Sequence, residues 1–337
     1  MIKLLFQTKN LKGPSTIFNQ NLLKGLNELK DISIDFYNTN YINYDVVLFM
    51  GYDPDIKKAK QNNPLIKVGI IDPRPSFNID FTDVDFILAN GIEMRDYFSK
   101  FSKNIFNYYI YPELEFKKIK KNNQKVILGY HGNKIHLMAS RKRLMPAIEL
   151  LAHKHQVELW LMYDVESLGQ WKYTASSKNL LIKHIQWNKD GYQKYMSQVD
   201  IGVVPSLIPI QNVSLVRKIS KSIFNKFNES FSDYLLRFKV TSNVGRGLVF
   251  AQLKVPVIMD MTPSALQLIS DSDNGFVCYS TESWCSALFK LAESEHLRLS
   301  MAENLYKEFN LNYSSKEINR KFENYLLHNI ITNDYTT

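Results

Sequence analysis

Three positively charged residues, Arg237, Lys239 and Arg246, lie close together in the sequence beside the polar side chain of Asn243. An apolar, helix-like segment follows them and ends at Lys254-Val255-Pro256. Cations beside a helix N-terminus suit a phosphate group, because free backbone N–H groups and the helix dipole both favour an anion. The spacing predicts a site for the diphosphate of an activated donor. A solvated basic face of a surface helix stays open as the alternative.

The sequence predicts the start of a second helix shortly after Pro256. Val257-Ile258-Met259 is typical of a short buried strand. Thr262 is expected to be the N-cap of the next helix, with Pro263 at its first position. Pro263 and Ser264 would therefore bring a second helix N-terminus close to the first one.

Candidate chemical groups also follow the predicted strands. In open α/β sheets, ligands bind beyond the carboxyl ends of the strands. Asp53, Asp72 and the run His131-Gly132-Asn133 each follow a predicted strand end. Asp53 precedes Pro54 and is interpreted as a turn former, whereas for Asp72 a turn and a site carboxylate are equally favoured. A lone histidine such as His131 is more often structural, but its position before Gly-Asn makes it a candidate site residue.

Strands and helices alternate through two halves of the chain, which is typical of doubly wound α/β domains. The strands predicted for the first half are Ile2–Gln7, Ile32–Tyr37, Tyr44–Met50, Lys67–Ile71, Val84–Ala89 and Asn107–Tyr111. We predict two Rossmann-like domains facing a cleft. The first is expected over residues 1–115 and the second over 126–310, with a charged linker at 116–125. A carboxyl-terminal helix within 311–337 is expected to cross back to the first domain.

The composition limits the class of protein. The 337 residues carry a formal net charge of +9, and 45% of them are hydrophobic. That balance fits a globular protein with nucleic acid, an anionic membrane surface or a phosphorylated substrate as partner. The two cysteines give no disulfide framework and suit a reducing compartment. Neither a signal peptide nor a span of roughly 20 apolar residues is recognisable, so we expect a cytoplasmic protein, with peripheral attachment to the inner membrane face as a further expectation.

Three stretches resemble the carboxyl-terminal domain of GT-B fold glycosyltransferases of the group 1 or family 4 type. They are VILGYHGN (Val126–Asn133), VDIGVVPS (Val199–Ser206) and LKVPVIMDMTPSALQLISDSDNGFV (Leu253–Val277). The resemblance covers Val126–Leu327, and it extends to the first half in architecture only.

One departure from this family concerns its acidic residues. Many retaining members carry two glutamates seven residues apart, but Val249 and Gln252 are not acidic and Gln267 stands where the second glutamate would fall. The run RFKVTSNVGR is instead similar to a subgroup with a Lys-x-x-x-Asn-x-x-Arg signature, here Lys239, Asn243 and Arg246. The retaining mechanism therefore does not follow from the resemblance.

The resemblance implies transfer of a sugar from a nucleotide-sugar donor to a glycan or lipid-linked acceptor, in bacterial lipopolysaccharide or capsule biosynthesis, without a bound metal or cofactor. Cations and helix N-termini would then offset the charge of the leaving diphosphate. Gly132 and Asn133 would approach the phosphates, and Gln186 and Trp187 would hold the nucleotide base. For an inverting transfer, Asp72 or His131 is the candidate base.

Other functions remain open from the sequence. A catalytically inactive GT-B-like partner subunit is compatible with the missing glutamates, and an epimerase or a phosphorylase on the same fold is a further alternative. The positive charge also allows a nucleic-acid-binding protein. The chain carries no helix-turn-helix, zinc-finger or RNA-binding signature, so no nucleic-acid partner is expected.

Overall fold

The computed structural model describes residues 1–117, 125–207 and 240–331. The described chain forms two compact units. The first unit combines Met1–Glu113 with the residues from Asn310 onward, and the second unit comprises Leu114–Phe309. Of the linker predicted at 116–125, residues 118–124 lie outside the described residues.

The first unit contains a six-stranded sheet. Its strands are β1 (Ile2–Gln7), β2 (Ile32–Phe36), β3 (Val46–Met50), β4 (Lys67–Ile71), β5 (Phe86–Ala89) and β6 (Ile105–Asn107). All pairings are parallel, in the order β2-β1-β3-β4-β5-β6. Every residue of β3 is buried, as expected of a parallel strand covered on both faces. Helices α1 (Pro14–Lys24), α2 (Ile56–Asn62) and α3 (Ile92–Phe98) connect these strands.

The strand predicted at Asn107–Tyr111 was wrong in position, because β6 ends at Asn107. The apolar residues that follow β6 are buried although they are not part of the strand. Tyr108 and Tyr111 are buried by packing against the carboxyl-terminal part of the unit, where the Tyr111 hydroxyl donates to the carbonyl oxygen of Tyr313.

The second unit contains another six-stranded parallel sheet. Its strands are β7 (Val126–His131), β8 (Val157–Tyr163), β9 (Leu180–Gln186), β10 (Ile201–Val204), β11 (Val257–Asp260) and β12 (Phe276–Cys278). Their order is β12-β11-β10-β7-β8-β9. Read from β9, this is the 3-2-1-4-5-6 order of a Rossmann sheet. The order reverses between β7 and β10, which is the position where such sheets bind ligands.

Eight described helices flank this second sheet. They are α4 (Lys134–Ser140), α5 (Leu144–Lys154), α6 (Val165–Leu168), α7 (Gly191–Lys194), α8 (Gly245–Gln252), α9 (Pro263–Leu268), α10 (Thr281–Glu293) and α11 (Glu295–Glu308). One core joins the sheet to α5 and α10 through Leu151, Trp284 and Leu288. Within the described residues, no helix has the length and apolarity needed to cross a bilayer.

The last α-helix of the described chain, α12 (Ser315–Tyr325), belongs to the first unit. Asn319 on α12 accepts a hydrogen bond from the Tyr108 hydroxyl at 2.8 Å and donates to the carbonyl oxygen of Leu22 at 2.6 Å. Phe322 is fully buried, and its ring lies 5.6 Å from that of Phe106. The first unit is therefore built from two segments that are far apart in the sequence.

Candidate functional site

Asp72 occupies an unusual position at the carboxyl end of β4. Its φ of +51° is in the left-handed region, which is unfavourable for a residue that precedes a proline. Gly51, which follows β3, makes this path possible, because a Cβ on Gly51 would lie 2.4 Å from the Cα of Pro73. Strained backbone of this kind tends to occur at functional sites.

The Asp72 carboxylate is almost fully buried, with 2% of the residue exposed. Its Oδ2 accepts a short hydrogen bond from Nη2 of Arg74, whereas its buried Oδ1 has no hydrogen-bond partner within the described chain. Burial raises the pKa of the Asp72 carboxyl, and the Arg74 guanidinium acts in the opposite direction. The result is a buried carboxylate with one unsatisfied oxygen at the carboxyl end of β4, the end of the strands beyond which open α/β sheets bind ligands.

Asp53 has a structural role, but its side chain reaches beyond the turn that the sequence predicted. Its Oδ2 accepts hydrogen bonds from the Thr8 hydroxyl at 2.8 Å and from the backbone N–H groups of Lys9 and Asn10 at 2.6 Å and 3.1 Å. This carboxylate therefore holds the loop that follows β1.

In the second unit, Gly132 forms the turn between β7 and α4. Its φ of +137° suits glycine, and a Cβ there would lie 3.0 Å from Cδ of Arg246 and 3.1 Å from the Tyr130 hydroxyl oxygen. Glycine thus allows the Arg246 side chain to pass close to the backbone. The next residue, Asn133, is exposed, and its side chain caps α4 by accepting from the N–H of Ile135.

Arg246, in the first turn of α8, extends its side chain toward the carboxyl end of β10. Its Nη1 donates to the carbonyl oxygen of Pro205 and its Nη2 to the Ser206 hydroxyl, both at 2.8 Å. Arg246 is therefore not part of a solvated basic face, which was the alternative interpretation from the sequence. A guanidinium carries five N–H donors, so donors remain for a further acceptor.

His131, at the end of β7, is buried with 4% exposed. Its Nε2 lies 3.1 Å from the carbonyl oxygen of Arg246, which can only accept, so the proton is on Nε2. The rings of Tyr192 and Phe250 each lie 5.2 Å away. Burial, assisted by the Arg246 charge, lowers the pKa of His131 to about 3. This neutral, enclosed histidine positions the start of α8, and its geometry argues against the predicted role of general base.

Two residues that sequence reasoning missed, Arg143 and Asp260, complete the cluster. Asp260 ends β11 and is fully buried. Its Oδ2 accepts from Nη2 of Arg143 at 2.6 Å and from the backbone N–H groups of Ser206 and Leu207. Its Oδ1 accepts from the indole N–H of Trp284 at 3.2 Å. Asp260 thereby joins the end of β10 to Arg143, beside the Arg246 guanidinium.

The helix start predicted at Thr262 and Pro263 is confirmed. Thr262 is the N-cap of α9, where its hydroxyl accepts from the N–H of Ala265 at 3.1 Å, and Pro263 is the first helical residue. Ser264 is buried, and α9 has only six residues. Asn243 lies just before α8 and accepts from the N–H of Gly245 at 3.0 Å.

Gln186 and Trp187, the predicted contacts of the nucleotide base, lie at the carboxyl end of β9. The Gln186 amide already bonds within the protein, to the N–H of Glu166 and to Asp164. Trp187 is half-buried, and its indole N–H donates to the Tyr192 hydroxyl at 3.0 Å. Since the Tyr192 ring packs edge-on against His131, side-chain contacts connect Trp187 to the region of Arg246.

The structure thus brings together His131, Gly132 and Arg246, with Trp187 reached through Tyr192. Arg237 and Lys239, the other predicted cations, lie outside the described residues. The described residues include no group of three or more His, Cys, Asp or Glu side chains placed to hold a metal ion. The two arginines, Arg143 and Arg246, outnumber the one carboxylate of the cluster, Asp260.

Each of the two units contains a Rossmann-like sheet of six parallel strands. This arrangement is typical of the GT-B fold, and the chain has this fold. No protein-family model matches the sequence, and no curated protein matches it.

Three solved structures that the chain resembles are distant from it in sequence. Anabaena HepE in complex with UDP-glucose has a TM-score of 0.61 at 12% identity, over 97% of this chain and 100% of that chain. A glycosyltransferase from Rickettsia africae has a TM-score of 0.57 at 12% identity, over 97% of this chain and 98% of its own. The lipopolysaccharide outer core galactosyltransferase WaaB has a TM-score of 0.53 at 10% identity, over 97% and 99%.

Proposed function

We propose that this protein is a glycosyltransferase that moves a sugar from a UDP-sugar donor to a glycan or lipid-linked acceptor. The observation that carries the proposal is the arginine cluster at the topological switch point of the second sheet. Arg246 reaches the end of β10, and Arg143 reaches Asp260 at the end of β11. The binding of UDP-glucose by the structurally similar HepE supports a UDP-linked donor.

The arginines supply the electrostatic part of the proposed reaction. An acceptor hydroxyl oxygen bonds to the anomeric carbon, the bond from that carbon to the diphosphate breaks, and UDP leaves with the bonding electrons. Arg143 and Arg246 offset the charge that develops on the diphosphate, and the N-terminus of α8 adds a partial positive charge. We propose that the reaction needs no bound metal ion, since these cations meet the same electrostatic requirement.

The hydroxyl proton requires an acceptor, and Asp72 in the first unit is the proposed base. A base works best when its pKa is raised toward the working pH, and burial shifts the pKa of Asp72 in that direction. His131 does not share this role, because its ring is enclosed and its Nε2–H is already bonded to Arg246.

The cellular setting is a separate part of the proposal. The resemblance to WaaB, a lipopolysaccharide outer core enzyme, favours surface-glycan synthesis. We propose that the protein works in the cytoplasm at the inner membrane face, where a lipid-linked acceptor would lie. Its two cysteines, both free thiols, are compatible with that reducing compartment.

Thermal-shift measurements with UDP-, GDP-, ADP- and CMP-linked sugars test the donor class. UDP-sugars are expected to stabilise the wild type. Arg143→Gln removes a charge-assisted donor and should weaken UDP binding roughly ten- to hundredfold. Arg141→Gln is the matched control, because Arg141 is exposed and lies against the ring of Tyr173.

Turnover decides between an enzyme and an inactive partner subunit. Hydrolysis of a UDP-sugar, or its transfer to a glycan acceptor, supports the enzyme. UDP-sugar binding without either reaction would favour the inactive GT-B-like subunit. Equal UDP affinity in Arg143→Gln and Arg141→Gln would contradict the proposed donor site.

A further inference from the structure

We propose that the first unit recognises an acceptor that carries both a hydroxyl and an anionic group, a phosphate or a carboxylate, through Asp72 and Arg74. This inference rests on the proposed transferase function, because it specifies the class of acceptor. In this proposal, Arg74 binds the anionic group and Asp72 binds the hydroxyl.

The first support is the unsatisfied oxygen of Asp72. A buried carboxylate oxygen without a hydrogen-bond donor is costly, and native proteins rarely leave one unless a ligand or water supplies the donor. Oδ1 of Asp72 is such an atom, while Oδ2 is held by Arg74. Asp72 lies at the carboxyl end of β4 with a strained backbone, which is accommodated because residue 51 is glycine.

The second support is the unused capacity of Arg74. Its side chain is 31% exposed, and within the described residues it bonds only to Asp72. One nitrogen is occupied, so the rest of the planar fork can hold the two oxygens of a phosphate or carboxylate. The carboxylate of Asp72 orients that fork.

The two groups together define the ligand. Oδ1 requires a donor, which a sugar or polyol hydroxyl provides, and Arg74 requires an anion on the same molecule. A neutral sugar would leave the remaining donors of Arg74 without an anionic partner. The chemistry therefore favours a phosphorylated polyol or sugar, or a uronic acid, over a neutral glycan.

Calorimetric titration of the full chain with small probes tests this proposal. The donor site is first saturated with UDP, so that phosphate binding to the second unit does not contribute. The probes are glycerol 3-phosphate and glucuronate, with glycerol and glucose as their neutral counterparts. The variants are Arg74→Gln and Arg74→Lys, and the control is Arg95→Gln, because Arg95 is exposed and pairs with its neighbour Asp96.

At least one anionic probe is expected to bind the wild type and Arg95→Gln more tightly than its neutral counterpart. Arg74→Gln should weaken that binding roughly ten- to hundredfold, and Arg74→Lys should restore part of it. Which probe binds distinguishes a phosphate from a carboxylate. Equal affinity in Arg74→Gln, or no anion preference up to about 10 mM, would overturn the inference.

The UDP titration of the same variants separates this inference from the proposed function. UDP should bind all of them equally, since Arg143 and Arg246, the proposed donor-site cations, are unchanged in these variants. If the wild type does not bind UDP, the proposed donor site is refuted. If it binds UDP but shows no preference for the anionic probes, the acceptor inference alone is refuted.

Discussion

Replacing His131 by glutamine should change how the stability of the second unit depends on pH. In the folded protein, burial lowers the pKa of His131 to about 3, whereas the unfolded value is 6.5. Below the unfolded pKa, the unfolded chain binds a proton that the folded protein does not, so stability falls as the pH falls. Glutamine does not titrate, and its amide N–H can replace the donor to the carbonyl oxygen of Arg246.

The magnitude follows from the two pKa values. Between about pH 7.5 and about pH 5, the wild type should lose ~2 kcal/mol of unfolding free energy through this residue alone. The result hardly changes for any folded pKa below about 4, because the folded ring is then neutral throughout this range. Other titrating groups, such as His184, affect both proteins and cancel in the difference between wild type and variant.

Tryptophan fluorescence is a suitable signal for urea unfolding, because all four tryptophans of the chain lie in the second unit. They are Trp160, Trp171, Trp187 and Trp284. Unfolding curves of the wild type and of His131→Gln are compared at each pH. If the two stabilities change in parallel down to pH 5, His131 is not held neutral, and the geometry deduced for the start of α8 is incorrect.

Four further predictions concern Gly132, Asp260, Gly51 and the removal of metal ions. Gly132→Ala should destabilise the second unit by about 1–3 kcal/mol and weaken UDP binding, because the new Cβ strains the backbone beside Arg246; urea unfolding and UDP titration measure this. Asp260→Asn should cost about 3 kcal/mol in the same unfolding assay, since it leaves the Arg143 charge without its buried partner. Gly51→Ala should disrupt the first unit while tryptophan fluorescence stays native, and circular dichroism would show the loss; an intact first unit would contradict the close approach to Pro73. Chelation with EDTA should leave the UDP-induced thermal shift unchanged, and its loss would show that a metal takes part.

Local patterns in the sequence predicted much of the architecture. The continuous apolar run of β3 identified a buried parallel strand, and Thr262-Pro263 identified the start of α9. Both features depend on neighbouring residues only: the burial pattern of a single strand, and a side chain that caps a backbone N–H three residues on.

The arginine cluster was not predictable in the same way. Arg143 lies in an Arg-Lys-Arg run that is typical of a solvated surface, yet it pairs with Asp260, 117 residues further along the chain. The pairing of β10 with β11 brings the backbone N–H groups of Ser206 and Leu207 to that carboxylate, and side-chain patterns do not specify such a contact.

Asp53 and Asp72 show more directly what local sequence patterns do not predict. Both follow a strand and precede a proline, so the sequence offers the same local evidence for each. The Asp53 carboxylate holds, through Oδ2, a loop that lies next to it in the fold, whereas Asp72 is almost fully buried and bonds through Oδ2 to Arg74. In both residues the buried Oδ1 has no hydrogen-bond partner within the described chain, so the partners of Oδ2 and the degree of burial are what distinguish them. Their different roles depend on the strands that flank them, which the local sequence does not encode.

The assembly of the first unit from two distant segments has a consequence for synthesis on the ribosome. Strands β1 to β6 emerge first, but the surface that Phe322 and Asn319 cover remains open until α12 has been made. At ordinary translation rates of roughly 5–20 residues per second, the second unit occupies the intervening ten seconds or more. The second unit is thus able to fold before the first is complete, and during that interval the aromatic residues of β5 and β6 that Phe322 covers in the finished fold remain open to solvent.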